Sequence, residues 1–256
     1  MILTSKNNPL IKETASLKEK KGRKTLGLFL VEGKKMAREC AQSGFEIERV
    51  FLSASFAENA RDELDFLQDY AEKTVVVSDD AFAFLSDEKT PQGILCRVKI
   101  PKLELREPSG SCLLLDGVGD PANVGAIIRT ANAAGYQEIY LAEGSADPFA
   151  PKSVRASMSG VFFTKLYFGS REEILQKLSS TPVFVADMGG VNAFSFHVPE
   201  KFALVIGNEA NGVSEVVRQS AAATVKIPME QTQESLNAAV SAGILMYLLK
   251  KEAFGD

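Results

Sequence analysis

The sequence predicts an α/β protein whose C-terminal part is a mainly parallel sheet, and three observations carry that expectation. Short apolar runs recur from Cys112 onward: CLLLD (112–116), EIYLA (138–142), FTKLYF (163–168), VFVAD (183–187), ALVIG (203–207) and TVKIP (224–228). Each is followed by a loop or a helix-length segment, and strands alternating with helices close into parallel sheets covered on both faces. Glycines and polar residues gather where these runs end, at GVGDPANVG (117–125) and GNEANG (207–212). That is the edge at which open α/β sheets bind ligands.

The N-terminal part reads as a smaller set of alternating elements. An apolar-periodic helix near 9–20 leads into a basic segment, KEKKGRK, and then a short strand within LGLFLVEG. A helix from Lys34 to Ser43, a strand ERVFLS, a long acidic helix over 57–72 and a strand TVVVS follow. GILCRVKIP (93–101) is the last strand, entered from the turn TPQG, and PKLELREPSGS (101–111) has the Pro, Ser and charge content of a linker. A chain of 256 residues accommodates two domains. The expected division is 1–100, a small α/β domain; 101–111, the linker; and 112–256, the parallel-sheet domain.

Composition narrows the chemistry. The start MILTSKNNPLIKE has no apolar core of a signal peptide, and no apolar run approaches the ~20 residues of a membrane span. A cytoplasmic protein with no membrane partner is expected. Cys40, Cys96 and Cys112 form no CxxC pair and are odd in number, which suits reduced, buried thiols. His197, the one histidine, sits in NAFSFHVPE, whose residues do not resemble a nucleophile–base pair. A histidine-rich metal site and a Ser-His-Asp triad are therefore set aside, and no metal is expected.

The net charge of −4 is unevenly placed. Residues 1–38 hold ten Lys and Arg against Glu13, Glu19 and Glu32. A basic end on an acidic body is a footprint that phosphate backbones select; a solvated helix face fits charge alone equally well.

Three segments carry the chemistry. After Asp116 the chain turns through GVGDPANVG, where Asp120 suits an N-cap and Pro121 the first helical position. The helix should run to about Ala134 and stop at Gly135. The glycine spacing is not GxGxxG, which removes a dinucleotide reading. Asn123 and Arg129 lie ~9 Å apart along that helix, on different azimuths, and suit an extended substrate such as a ribose and its phosphate. In VIGNEANGVS, Gly207 and Gly212 have phosphate-loop spacing, but Val213 stands where the loop needs Lys, so an NTPase is excluded. Gly207 lets backbone approach a ligand, and Glu209 supplies a carboxylate or a helix N-terminal partner. The third segment passes from TVKIP through MEQTQ into a helix, with Leu236, Val240, Ile244, Tyr247 and Lys251 on one expected core stripe. Ser235 and Asn237 fall in its first turn, where Ser235 suits an N-cap.

In order and content these segments resemble the three motifs of the SpoU/TrmH family of RNA 2′-O-ribose methyltransferases. FLVEGKKMARE and TPQG resemble the small substrate-binding domain that precedes the catalytic domain in many members. The resemblance implies an S-adenosylmethionine-dependent enzyme that methylates a ribose 2′-hydroxyl of structured RNA, ribosomal RNA before tRNA. A non-catalytic RNA-binding or assembly protein is the alternative. It further implies a deep trefoil knot and a homodimer through the C-terminal domain, for which the apolar helix bearing Leu245, Tyr247, Leu248 and Leu249 offers surface. Asn123, Arg129, Glu209, Ser235 and Asn237 are the implied catalytic residues, with Asn208 and Glu209 facing the arginine. Gly207, Ile227, Met229 and Leu236 are the implied cofactor contacts. DPFAPKSVRASMSG (147–160) resembles the family stretch between the first two motifs. It offers Lys152 and Arg155 as contacts for RNA phosphates, a solvated loop charge fitting Lys152 equally well, and suggests a tight packing site at 157–160.

Overall fold

The computed structural model of the chain describes residues 2–59, 65–230, 232 and 235–250. The chain divides into two compact units, Met1–Lys102 with Phe149–Arg155, and Leu103–Pro148 with Ala156–Asp256.

In the first unit the described residues form a four-stranded sheet in the order β1-β4-β2-β3. The strands are β1 (Leu28–Glu32), β2 (Ile47–Ser53), β3 (Thr74–Val77) and β4 (Ile94–Lys99). β4 runs antiparallel to β1 and β2, while β2 and β3 are parallel. Helix α1 (Pro9–Ser16) starts at Asn8, whose side chain accepts from the Leu10 N–H, and ends earlier than periodicity suggested. The basic segment is itself a helix, α2 (Lys20–Leu26), closed by Gly27 at φ 66°. Its Arg23 is buried and donates to the carbonyls of Leu17 and Lys18, both at 2.8 Å. Lys18 donates to the Phe84 and Ser86 carbonyls. Arg23 and Lys18, both among the ten basic residues of 1–38, therefore bind the fold itself.

Helix α3 (Lys34–Gln42) stands as expected. The long acidic helix does not: α4 (Ala54–Asn59) is short, a 3-10 helix spans Asp65–Lys73, and 60–64 lie outside the described residues. Helix α5 (Asp79–Leu85) was not foreseen, although Ser78 caps it and two aspartates fill its first turn. Ile11, Leu17, Leu30, Phe51, Phe82 and Leu95 pack beneath these helices. Buried Arg97 ties α1 to the sheet through Glu13 at 2.6 Å and Glu48 at 3.0 Å.

The described residues of the second unit form a six-stranded sheet, parallel throughout, in the order β10-β8-β9-β5-β6-β7. These are β5 (Cys112–Asp116), β6 (Glu138–Ala142), β7 (Lys165–Gly169), β8 (Val183–Asn192), β9 (Ala203–Gly207) and β10 (Ala223–Lys226). β7 starts late because Phe163 closes a one-turn helix. β8 runs on past Asp187, and its Gly190 lies against the Thr224–Val225 backbone, where a Cβ would meet atoms at 2.6 Å. Because β9 is laid beside β5 with Gly207 paired to Asp116, the exits of both strands stand together.

The helices after β5 in chain order are α6 (Pro121–Ala133), α7 (Pro151–Ser157), α8 (Gly160–Phe163), α9 (Arg171–Lys177), α10 (Glu215–Gln219) and α11 (Ala238–Leu249). Asp120 caps α6 by accepting from the N–H groups of Ala122 and Asn123, and Gly135 follows it at φ 71°. Residues 103–111 have no regular structure yet are fastened to this unit. Buried Glu138 accepts from Arg106 at 2.9 Å and from the Ser109 N–H and hydroxyl at 2.7 and 2.9 Å. Burial pushes that carboxyl up, but these donors outweigh it and hold it below the usual range.

The expected stripe on the last helix is displaced. α11 buries Ala238, Ala242, Leu245, Met246 and Leu249, while Val240 and Tyr247 are exposed and Lys251 lies outside the described residues. The helix is apolar all round, so its sequence marks no azimuth as the inner one. All three cysteines are buried and unpaired, and His197 is exposed in a loop. No helix among the described residues is long and apolar enough to cross a membrane.

Candidate active site

A cavity of about 410 Å³ opens at the carboxyl ends of β9 and β10, beside the middle of β8 and against the start of α11. Ile227, Met229 and Leu236 give it apolar walls, and Asp187, Glu209 and Ser235 give it polar ones. Gly207 lines it too, and the structure adds a local reason for glycine that the sequence did not show. A Cβ there would lie 2.4–2.6 Å from the backbone of Gly212 and Val213. The chain folds back on itself at this point, Asn208 and Gly212 exchanging two backbone hydrogen bonds of 2.9 Å. Glycine is what lets the loop close here.

That loop is stitched to the one after β5. Asn208 donates its side-chain amide to the Gly117 carbonyl at 2.8 Å. Glu209 accepts from the Gly119 N–H at 3.1 Å on one oxygen and from Asn123 Nδ2 at 2.8 Å on the other. Asn123 Oδ1 in turn accepts from Asn237 Nδ2 at 3.0 Å. Asn237, not Ser235, is the N-cap of α11, its Oδ1 accepting from the Ala239 and Val240 N–H groups. Burial raises the affinity of Glu209 for a proton, yet the donors from Asn123 and Gly119 outweigh it and hold the carboxyl below its usual range. An ionised carboxylate is what an acceptor on both oxygens should be.

The sequence-predicted residues thus separate into two groups. Asn123, Glu209 and Asn237 meet directly, and Gly207, Ile227, Met229, Ser235 and Leu236 share the cavity with Glu209 and Asn237. Arg129 is exposed on α6 outside the cavity, and no hydrogen bond or ion pair joins it to Glu209 among the described residues. α8 packs on α6 at this point: a Cβ on Gly160 would stand 3.1 Å from Arg129 Cα. The tight packing expected over 157–160 is therefore packing on the helix that carries the arginine. Arg155 is engaged within the protein, by Asp87 at 2.7 Å and Glu88 at 2.8 Å. Lys152 also has a partner in the fold.

Asp187, midway along β8, escaped the sequence reading. It accepts from the Gly189 N–H and pairs with Arg218 at 2.7 Å, and these hold its carboxyl low. Its position at the end of an apolar run was the available signal. Asp116 escaped as well. It is buried at the end of β5, accepting from Arg171 Nε at 2.6 Å and the Ser214 N–H at 2.7 Å. Apolar walls beside two carboxylates suit a ligand with a flat ring and a positive charge.

Residues 110–247 match the model of the SpoU rRNA Methylase family. The chain belongs to that family. Residues 8–96 match the MRM3-like substrate binding domain. Among SpoU relatives, the 23S rRNA (guanosine(2553)-2′-O)-methyltransferase RlmP of Bacillus subtilis is 30% identical, over 97% of this chain and 98% of its own. The 23S rRNA (uridine(2479)-2′-O)-methyltransferase of Streptomyces viridochromogenes is 27% identical, over 96% and 90%. The crystal structure of an AdoMet-bound rRNA methyltransferase from Sinorhizobium meliloti is 26% identical and covers 98% of both chains with a TM-score of 0.88.

Proposed function

We propose that this protein transfers a methyl group from S-adenosylmethionine to a ribose 2′-hydroxyl of ribosomal RNA. The observation that carries the reading is the Asn237–Asn123–Glu209 chain standing beside the cavity. It joins all three motifs of the SpoU family in one hydrogen-bonded unit. The full-length relatives named above act on 23S rRNA, which favours ribosomal RNA over tRNA. They differ in the nucleotide they modify, so the nucleotide is a matter for experiment.

The cavity fits the cofactor: Ile227, Met229 and Leu236 would flank the adenine, and Asp187 and Glu209 complement its cationic groups. When bound, S-adenosylmethionine supplies an activated methyl on a sulfonium. The protein's part is alignment. Asn123 and Glu209 fix the wall of the site, and Ser235 and Asn237 hold the entry of α11 against it. Exposed Arg129 clamps the phosphate and ribose of the incoming RNA with its planar fork. A guanidinium stays charged in proteins, so Arg129 does not take the proton, which leaves to water.

The reading includes a deep trefoil knot. In its support, the chain leaves the edge strand β10 and returns to α11, whose entry and the 207–212 loop line one cavity. It includes a homodimer through the second unit, supported by the exposure of Val240 and Tyr247 on α11. The first unit binds the RNA, and ribosomal RNA as substrate gives the protein a cytoplasmic place of work. Calorimetry with S-adenosylmethionine, light scattering, and a map of 2′-O-methyls across total RNA with and without the gene test the reading together. Loss of one ribosomal 2′-O-methyl without the gene is expected. A cooperatively melting protein that takes up no cofactor and leaves the map unchanged would make it a binding protein instead.

A further inference from the structure

Arg171 enters α9 from the exit of β7, at the same sheet edge as the cavity but outside its lining. Only one edge of its guanidinium is used. Nε donates to Asp116 Oδ1 at 2.6 Å and reaches Ser214 Oγ at 3.1 Å, while the second Asp116 oxygen holds the Ser214 N–H. The two terminal nitrogens have no hydrogen-bond partner among the described residues, and the side chain is 27% exposed. An arginine held against a fully buried carboxylate usually spends its terminal nitrogens there. Here the carboxylate locks the group in place and leaves that pair turned elsewhere.

The surroundings keep the pair uncovered. Gly117 and Gly144 both have left-handed backbones, at φ 78° and 93°. A Cβ on either would stand 3.5 or 4.0 Å from Arg171 Nη2, so a side chain at these positions would roof the guanidinium. Gly117 opens the loop that leads through Gly119 to Asn123, so this fork lies beside the loop whose Gly119 and Asn123 hold Glu209. A planar, immobilised fork with open N–H groups matches a phosphate, and its ordering is complete before the ligand arrives.

We propose that Arg171 forms a phosphate subsite that takes a phosphodiester of the substrate RNA strand, separate from the cofactor cavity and from Arg129. This rests on the reading of the chain as an RNA 2′-O-methyltransferase. Asp116 is the positioning residue for the fork, and Gly117 and Gly144 keep it accessible.

The test uses the full-length protein and a 23S rRNA transcript, with filter binding over a range of KCl, calorimetry with S-adenosylmethionine, and methylation rates. Arg171→Gln should weaken RNA binding several-fold and flatten the slope of log K on log salt by ~0.7–0.9, the share of one phosphate. Cofactor affinity should stay within about threefold, since the residue does not line the cavity. Arg171→Lys should recover most of the slope while the KM for RNA stays raised, because an ammonium lacks the fork. Should Arg171→Gln fail to fold, Gly144→Asn decides: asparagine accepts left-handed backbone and covers Nη2 while leaving the Asp116 pair intact. It should weaken RNA binding without touching cofactor affinity. Wild-type RNA affinity and salt slope in folded Arg171→Gln, or in Gly144→Asn, would confine Arg171 to clamping Asp116 and Ser214. A wild-type protein that forms no 2′-O-methyl on any RNA would instead remove the function on which the subsite rests.

Discussion

Asn237 donates to Asn123 across 3.0 Å, joining residues 114 positions apart in sequence, and the direction of that bond is forced. Asn237 Oδ1 is committed to two N–H groups at the start of α11, so only its NH₂ can face Asn123. Asn123 must then present its own NH₂ to Glu209, which receives it as a carboxylate. Orientation passes from a helix end to the wall of the cavity.

Asn237→Asp separates the two duties of that side chain. The carboxylate still caps α11 and suits the positive end of the helix, but it cannot donate to Asn123. Methyl transfer should fall at least tenfold while the thermal midpoint stays within a few degrees. Asn237→Ala should lose the cap as well, at about 1 kcal/mol. Unchanged methyl transfer in Asn237→Asp, with only Asn237→Ala losing stability, would make the residue a cap and nothing more.

Gly207→Ala should abolish cofactor binding, because even one methyl would sit 2.4 Å from the Gly212 carbonyl carbon and force the 207–212 loop open. Calorimetry with S-adenosylmethionine checks this, paired with a melt to show that the sheet survives. Normal affinity in the folded variant would mean that the loop yields at no cost.

Arg129→Ala should leave cofactor affinity within a few-fold and lower methyl transfer by two orders of magnitude or more, an effect of about 3 kcal/mol on the barrier. Its exposure outside the cavity is the reason for the split. Arg129→Lys should not restore the rate. Parallel losses of cofactor binding and turnover would place the residue in the cofactor site.

The basic end divides in the same manner. Lys20, Lys21 and Lys24 are exposed, and neutralising them should flatten the RNA salt slope by at most ~0.7–0.9 per lost contact. Arg23→Gln should act on stability instead, costing about 1–3 kcal/mol, because two carbonyls lose their buried donor. An unchanged slope in the triple variant would show these lysines to be merely solvated.

Glu138 predicts a pH effect. Its folded carboxyl titrates below its ordinary value near 4.5, so its stabilisation is complete above that range and is lost as pH falls through the lowered value. Acid unfolding followed by circular dichroism should therefore be less steep in Glu138→Gln, which starts from a lower stability at neutral pH. Identical acid limbs would show that 103–111 is held by its apolar and hydroxyl contacts.

The parallel sheet was legible because buried strands announce themselves as unbroken apolar runs, and α6 because Asp120, Pro121 and Gly135 punctuate it. The α11 face was not legible, since a uniformly apolar helix has no marked side. α2 hid behind its charges: Arg23 reads as surface in sequence, and only the neighbouring carbonyls of Leu17 and Lys18 make it an interior residue. Within the site, motif residues were visible one by one. What the sequence could not show is pairing, namely which oxygen of Glu209 faces Asn123, or that Asp116 sits under Arg171. Those depend on β9 lying beside β5 and on β7 reaching β5 through β6, both long-range arrangements.

The three buried thiols have a practical consequence. Burial pushes Cys40 and Cys112 up to about 12 and Cys96 higher still, so almost no thiolate exists near neutrality to meet an alkylating reagent. The chain also contains no tryptophan. The folded surface is therefore blank to maleimide dyes and nearly dark to fluorescence excited at the red edge of the near ultraviolet. A single cysteine or tryptophan introduced beside the cavity, in an otherwise native background, would report the arrival of cofactor or RNA without competing signal.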